Sequence, residues 1–391
     1  MRIRVLVAVL AAMISVDAGA QWYLYKGNEA RQEAPQAVEE PVKADSSSVG
    51  RVFVPDIPDI INATLCLPLG STAEMPNPGF MEFYFGAMLA AADLGGEGLR
   101  INLKVIDSSD QSTPLKQSDI KASDVFIGPV SVSDIRNALA LCPEGSHIIS
   151  PLDPKAAGMT EGQPLIQAPA TKKSQIEELV NWLESEKRYV DKVVVIKDPA
   201  DSSDVQKFLE EKLTERNITH IVQSPSYINC SEAPFSTWRY ITVCEKEETM
   251  SHIISAISGL WNKGREVALY TTSKARSADN ADVTAMNKAE TRLTTAYHVD
   301  YSNSKVKEFI LKYRALYDAE PGQFAFCGYD TFHCFVKACA TWGRNWTEVL
   351  DRIDEKGLQS DFRFKSPASP GATSCGARRV LYSRDLSTTL Q

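Results

Sequence analysis

Eight cysteines, five histidines and a scatter of serines and carboxylates are the residues of this chain with chemistry to offer, and their spacing limits what they can do. The cysteines fall at 66, 142, 230, 244, 327, 334, 339 and 375 with no CxxC pair, so neither a zinc ribbon nor a redox dithiol is spelled out. Cys66 lies in an apolar strand pattern, and Cys327, Cys334 and Cys339 sit on or beside one helical stretch. Buried thiols acting as small hydrophobes and disulfides of an exported protein both stay open. The histidines show no ligand spacing, so no metal site is expected. There is no GxSxG elbow, P-loop, HExxH or Gly-rich turn opening a helix after a strand. Gly95-Gly96-Glu97-Gly98 follows a helical stretch and reads as a loop. The Asn-x-Ser/Thr sequons at Asn62, Asn217, Asn229 and Asn345 read as chance, since Asn62 opens a buried strand pattern. No catalytic residue, cofactor or metal is expected, and the chain reads as a binder rather than an enzyme.

Positioning such residues requires a fold, and 391 residues exceed the ~150 of a single-core domain, so two lobes are expected. The net charge of −8, with no basic stripe, excludes nucleic acid, whose phosphates demand clustered Lys and Arg. At the N-terminus, Arg2 and Arg4 precede a short apolar run, Val5 to Ile14, and Ala18-Gly19-Ala20 is a small-x-small site. That is the layout of a signal peptide over 1–20, cleaved before Gln21, and it implies export to the periplasm. No later segment is apolar for long enough to span a bilayer. Residues 21–59 are rich in Glu, Ala, Ser and Pro and read as a flexible linker.

From Asn62 onward, strand and helix patterns alternate. Asn62 to Pro68, Ile101 to Ile106, Asp124 to Gly128 and His147 to Ser150 are strands; Phe80 to Ala92 and Ser131 to Cys142 are helices between them. The rhythm repeats with strands Lys192 to Lys197, Ile218 to Val222, Arg239 to Val243 and Val267 to Tyr270, and with helices Ile176 to Trp182, Asp204 to Glu215 and Ile253 to Trp261. This βαβ order implies two α/β units, each a parallel sheet flanked by helices. Ligands of open parallel sheets bind beyond the carboxyl ends of the strands, so the loops there are the ones to examine, beginning with Gly70, Ser71 and Thr72. A simple turn is the other reading of those three.

The motifs Leu65-Cys-Leu-Pro-Leu-Gly70, Phe83-Tyr-Phe-Gly86, Asp107, Asp124-Val-Phe-Ile-Gly-Pro129, Ile148-Ile-Ser-Pro151 and Phe326-Cys-Gly-Tyr-Asp330 occur in this order. In that order they resemble the leucine/isoleucine/valine-binding protein family of type I periplasmic-binding proteins across about residues 60 to 385. Leu358-Gln-Ser-Asp-Phe-Arg-Phe364 is similar to a Bacteroidetes branch of it. The resemblance implies a two-lobed α/β fold of periplasmic-binding-protein type I, joined by three crossovers near Ala170, Asp300 and Asp361. Lobe one would comprise 60–170 and 301–360, and lobe two 171–300 and 361–391. It also implies that two loops of lobe one grip a ligand, placing Ser131 and Ser133 on one and Ser150 and Asp153 on the other. A helix cap is the bland reading of Ser131 or Ser133. The family carries Thr where Pro154 stands; proline offers neither hydroxyl nor N–H, and Asp153 beside it would repel a carboxylate. Lobe two would add Glu245 and Thr272, although a solvated surface Glu is the plain account of Glu245. The Gly328-Tyr329-Asp330 triplet reads as packing and helix start, with Asp330 as a cap.

Two functions follow. The first is an extracytoplasmic solute-binding protein, non-catalytic, holding a small polar, amino-acid-like or peptide-like ligand between two lobes for an ABC transporter permease. The second is a ligand-less scaffold that contacts an envelope protein or peptidoglycan.

Overall fold

A computed structural model of the chain describes residues 53–199, 203–231, 235–277, 282–365 and 370–391. The expected signal peptide and all but the end of the expected linker lie outside them. Val54–Gln391 forms one compact unit, and the end of the linker is tied to it. Asn345 Nδ2 donates to the Val54 carbonyl at 3.1 Å, and the Arg344 backbone N–H donates to that of Asp56 at 2.8 Å.

The strands in chain order are β1 (Ile61–Leu67), β2 (Ile101–Asp107), β3 (Val125–Ile127), β4 (Ile148–Ser150) and β5 (Leu165–Gln167); then β6 (Lys192–Ile196), β7 (Ile221–Gln223), β8 (Trp238–Ile241), β9 (Val267–Thr272) and β10 (Arg292–Thr295); and finally β11 (Asp354–Lys356), β12 (Asp361–Arg363), β13 (Ala372–Thr373), β14 (Arg378–Tyr382) and β15 (Thr388–Leu390). They build a six-stranded sheet in the order β13-β5-β4-β3-β1-β2, a seven-stranded sheet in the order β15-β14-β10-β9-β8-β6-β7, and a short antiparallel pair β11-β12. The protein is thus a two-lobed α/β fold of the type I periplasmic-binding kind. The first sheet is parallel throughout. The second is mixed, which corrects the expectation of two parallel sheets: β14 runs antiparallel to β10 where the chain re-enters this lobe, and β15 folds antiparallel onto β14.

Burial explains why these residues form these strands. All but one residue of β1 are buried, as befits a strand covered on both faces by helices. On one face of the first sheet lie helices Pro78–Gly96 and Gln323–Trp342, which run side by side. Gly86 and Gly328 let them touch: a Cβ on Gly86 would sit 1.9 Å from the Ala325 carbonyl oxygen, and one on Gly328 2.0 Å from that of Phe83. The other face packs Phe126, Ile148 and Leu165 against Ile135 of helix Val132–Leu141 and Ala156 of the 3₁₀ helix Pro154–Met159. The second sheet lies between helices Lys172–Glu186 and Asp204–Glu215 on one face and helix Glu247–Asn262 on the other. β7 begins three residues later than the pattern at Ile218 suggests. Ile218 instead closes the preceding helix, its N–H donating to Leu213 O, and is buried beneath it.

The chain passes between the sheets three times: after β5, after β10 and between β12 and β14. Ala170, Ala296 and Ala377, one from each passage, pack together with Tyr297 against them. Because β5 and β10 leave their sheets at their carboxyl ends, those ends of both sheets adjoin the crossings.

Candidate functional site

After β1, the loop Leu69–Ser71 is organised by Asp107 at the end of β2. Its carboxylate accepts from the backbone N–H groups of Leu69, Ser71 and Ser109 at 3.0, 2.7 and 2.9 Å. The hydroxyls of Ser71 and Ser109 donate to it at 2.6 and 2.5 Å. Burial works to raise the pKa of Asp107, but the hydrogen bonds from Ser109 and Ser71 outweigh it and hold the carboxyl down at about 2. The Ser71 hydroxyl is therefore committed inside the loop, while Thr72 is exposed.

Beyond β3, Ser131 is the N-cap of helix Val132–Leu141, its Oγ accepting from Asp134 N at 3.1 Å and donating to Asp134 Oδ2 at 2.6 Å. Ser133 is exposed, 2.9 Å from Ser131 through their hydroxyls. After β4, Asp153 caps the 3₁₀ helix that starts at Pro154, accepting from Lys155 N at 2.9 Å. Ser150, by contrast, is fully buried and its hydroxyl has no hydrogen-bond partner among the described residues. The structure thus brings Ser71, Thr72, Ser131, Ser133, Ser150 and Asp153 to the carboxyl ends of β1, β3 and β4, which are neighbours in the sheet. Most of the donors and acceptors there are already used by the chain itself.

In lobe two, Glu245 follows β8 and pairs with Lys172 Nζ at 2.5 Å on the surface. Thr272 ends β9 and is 8% exposed. These two lie at the carboxyl ends of adjacent strands. Neighbouring lysines on this rim also have carboxylate partners: Lys274 with Glu247 at 2.6 Å, Lys246 with Asp198 at 3.6 Å and Lys197 with Glu210 at 2.7 Å.

Three residues matter that the sequence reading did not select. Gln167, the last residue of β5, is 1% exposed, and its Oε1 also lacks a partner among the described residues. Asp330 is in the middle of helix Gln323–Trp342 and does not cap it, which corrects the earlier reading of the Gly328-Tyr329-Asp330 triplet. Its carboxylate reaches across to the turn between β11 and β12, beside the crossings, accepting from the N–H groups of Leu358, Gln359 and Ser360 at 2.6, 2.7 and 2.9 Å. From the other side, Arg378 of β14 donates to the carbonyls of Gly357, Leu358 and His298 and to Asp361. That turn is held through its N–H groups by one lobe and through its carbonyls by the other. Full burial pushes the Asp330 carboxyl up to about 6 against the opposing pull of those N–H groups and of Arg378. A polar residue midway along a helical run, aligned with its buried stripe, was the only local hint.

The eight cysteines form no disulfide with one another. Burial pushes the Cys66 and Cys327 thiols up to about 12, so neither is a ready nucleophile. No group of metal-ligating side chains is found among the described residues. A surface cavity of about 500 Å³, lined by Ile57, Pro58, Asp59, Ile60, Asn62, Asn102 and Arg344, lies at the amino ends of β1 and β2. That is the opposite edge of the sheet from the strand-end loops, so it is not the candidate site.

No family model matches the sequence, and no curated protein matches it. Solved structures do match in fold. A Rhodospirillum rubrum protein named as a branched-chain amino acid ABC transporter aligns at 16% identity and a TM-score of 0.55, over 86% of this chain and 100% of that one. LpoA of Haemophilus influenzae aligns at 12% identity and a TM-score of 0.54, over 86% of this chain and 60% of LpoA. The Streptococcus pneumoniae branched-chain amino acid substrate-binding protein LivJ, solved with isoleucine, aligns at 16% identity over 85% of this chain and 99% of its own, with a TM-score of 0.45. At these identities the likeness is one of fold. No helix among the described residues is long and apolar enough to cross a membrane.

Proposed function

We propose that this chain is an extracytoplasmic, non-catalytic solute-binding protein that holds a small polar ligand between its lobes and hands it to an ABC transporter permease. The observation that carries this reading is the meeting of both sheets' carboxyl ends at one triple crossing, packed through Ala170, Ala296 and Ala377. Strand-end loops on either side of such a hinge are where open α/β sheets take ligands, and hinge closure is the motion it allows. The neighbour named as a branched-chain amino acid ABC transporter supports the reading at the level of fold. Export to the periplasm through the 1–20 leader, and the relation to a Bacteroidetes branch suggested by Leu358 to Phe364, belong to the same proposal. So do the lobe limits of 60–170 with 301–360 and 171–300 with 361–391, save that β13 within the last segment joins the first sheet. The ligand would meet Thr72, Ser150 and Thr272 more readily than Ser71, Ser131, Ser133, Asp153 or Glu245, whose polar groups already have partners.

That self-satisfaction of the rims supports a second reading, a binding fold that serves as an envelope scaffold, to which the LpoA likeness in fold is also relevant. Thermal unfolding of residues 21–391 against amino acids, short peptides, muropeptides and sugars separates the two. A ligand at a hundredfold excess over its dissociation constant stabilises the folded state by ~2.7 kcal/mol, so a solute-binding protein shows a clear rise in Tm with one chemical class. A flat panel from a well-folded sample sinks the solute reading and favours the scaffold.

A further inference from the structure

Two buried polar groups stand side by side where the first sheet ends. Ser150 closes β4, Gln167 closes β5, and the two are direct partners in the parallel register. Two residues earlier, Ile148 and Leu165 pair in the same way, and both enter one apolar cluster with Phe126 and Ile135. By the two-residue alternation of strands, Ser150 and Gln167 project from that same face. They are 0% and 1% exposed, yet neither Ser150 Oγ nor Gln167 Oε1 has a hydrogen-bond partner among the described residues. Leaving a buried polar atom unpaired is costly, and native proteins rarely leave two such atoms on one rung.

We infer that the Ser150–Gln167 rung is a binding point for one uncharged hydroxyl group, supplied by an internal water or by a hydroxyl-bearing solute. A carboxamide oxygen only accepts, and a serine hydroxyl either donates or accepts. A single O–H group meets both needs: it donates to Gln167 Oε1 while its oxygen accepts from Ser150 Oγ. A carboxylate has no proton to give Gln167, and it would enter an edge where Asp107 and Asp153 already occupy N–H groups of the adjoining loops and Ser131 Oγ takes that of Asp134. An ammonium would be buried against two neutral groups, which is costly without a counter-charge. Adjacent strands are ~4.8 Å apart, so one oxygen is the right size to bridge the rung. The rung lies at the last residue before the first crossing, so its occupant sits at the inner limit of the strand-end loops. In its solute form the inference rests on the solute-binding reading; in its water form it does not.

High-resolution crystals of the protein, grown without polyol and then soaked in xylitol, test this together with the Ser150→Ala variant. The expected result is one density peak within hydrogen-bond distance of both Ser150 Oγ and Gln167 Oε1. The same rung predicts that Ser150→Ala loses that peak and melts a few degrees lower. Replacement of the peak by a xylitol hydroxyl identifies the solute as the source. A peak unchanged by xylitol identifies water, which upholds the rung and leaves the solute reading to the ligand panel. Absence of a peak in both crystals overturns the inference. A rise in Tm for Ser150→Ala says the same in solution, because it means the hydroxyl was buried without a partner.

Discussion

Asp107, at the lobe-one rim, and Asp330, at the β11–β12 turn beside the crossings, each gather three backbone N–H groups, at 2.7 to 3.0 Å and 2.6 to 2.9 Å respectively. Their titration moves in opposite directions, down to about 2 for Asp107 and up to about 6 for Asp330. The hydrogen-bonding chemistry is shared; the surroundings are not. Asp107 is half-buried and adds two serine hydroxyls to its shell, so the ionised form is cheap to keep. Asp330 is 2% exposed inside a helix bundle, where removing the charge from water outweighs three N–H donors. The rim is thus stiffened by a carboxylate at ease with its charge, and the turn by one that is not. Where the lobes join, the fold stores electrostatic cost in exchange for a fixed backbone path.

The largest expected effect is that of Asp330→Ala, which leaves three buried N–H groups without an acceptor. A loss of about 3–5 kcal/mol is expected in urea unfolding, and one below that of Asp107→Ala would break the comparison. Asp107→Ala unties two exposed loops that water can reach, so about 1–3 kcal/mol is expected. The pH dependence sharpens the contrast. The Asp107 contribution is present above pH ~4 and is lost as pH falls toward its folded value of about 2. The Asp330 contribution has the reverse sign, present below pH ~4 and lost as pH rises through its folded value of about 6. Wild type minus Asp330→Asn stability should therefore fall between pH 4 and 6, while wild type minus Asp107→Asn should rise between pH 2 and 4; parallel slopes would show that burial does not divide them.

Smaller effects separate the two rims. Lobe two relies on exposed pairs such as Lys172 with Glu245, so Glu245→Gln should cost under ~1 kcal/mol and lose even that effect in 1 M salt, where screening falls to ~3 Å. The Asp107 contacts run from side chain to backbone and should survive the same salt. Smallest of all, Ser133→Ala should leave stability within ±0.5 kcal/mol, as for a surface residue bonded only to a neighbouring hydroxyl; a larger loss would mean the helix cap is shared between Ser131 and Ser133.

By itself the sequence determined what is local. Alternating apolar runs specified β1, β3 and β4 and the helices between them, because period and burial are written within a dozen residues. The Ser131 cap was legible for the same reason, its Asp134 partner being three residues on. The two-lobed order followed from the βαβ rhythm and from motifs in sequence. The remaining features depend on partners far along the chain and arise only on folding. Asp107 meets Ser71 36 residues away, Asp330 meets Gln359 29 residues away, and Asp361 is joined by Arg378 across a crossing. The antiparallel return of β14 and the rung that sets Ser150 beside Gln167 are matters of register. Register is fixed by which faces find each other when the sheets pack, and a residue's own neighbours in sequence carry no record of that.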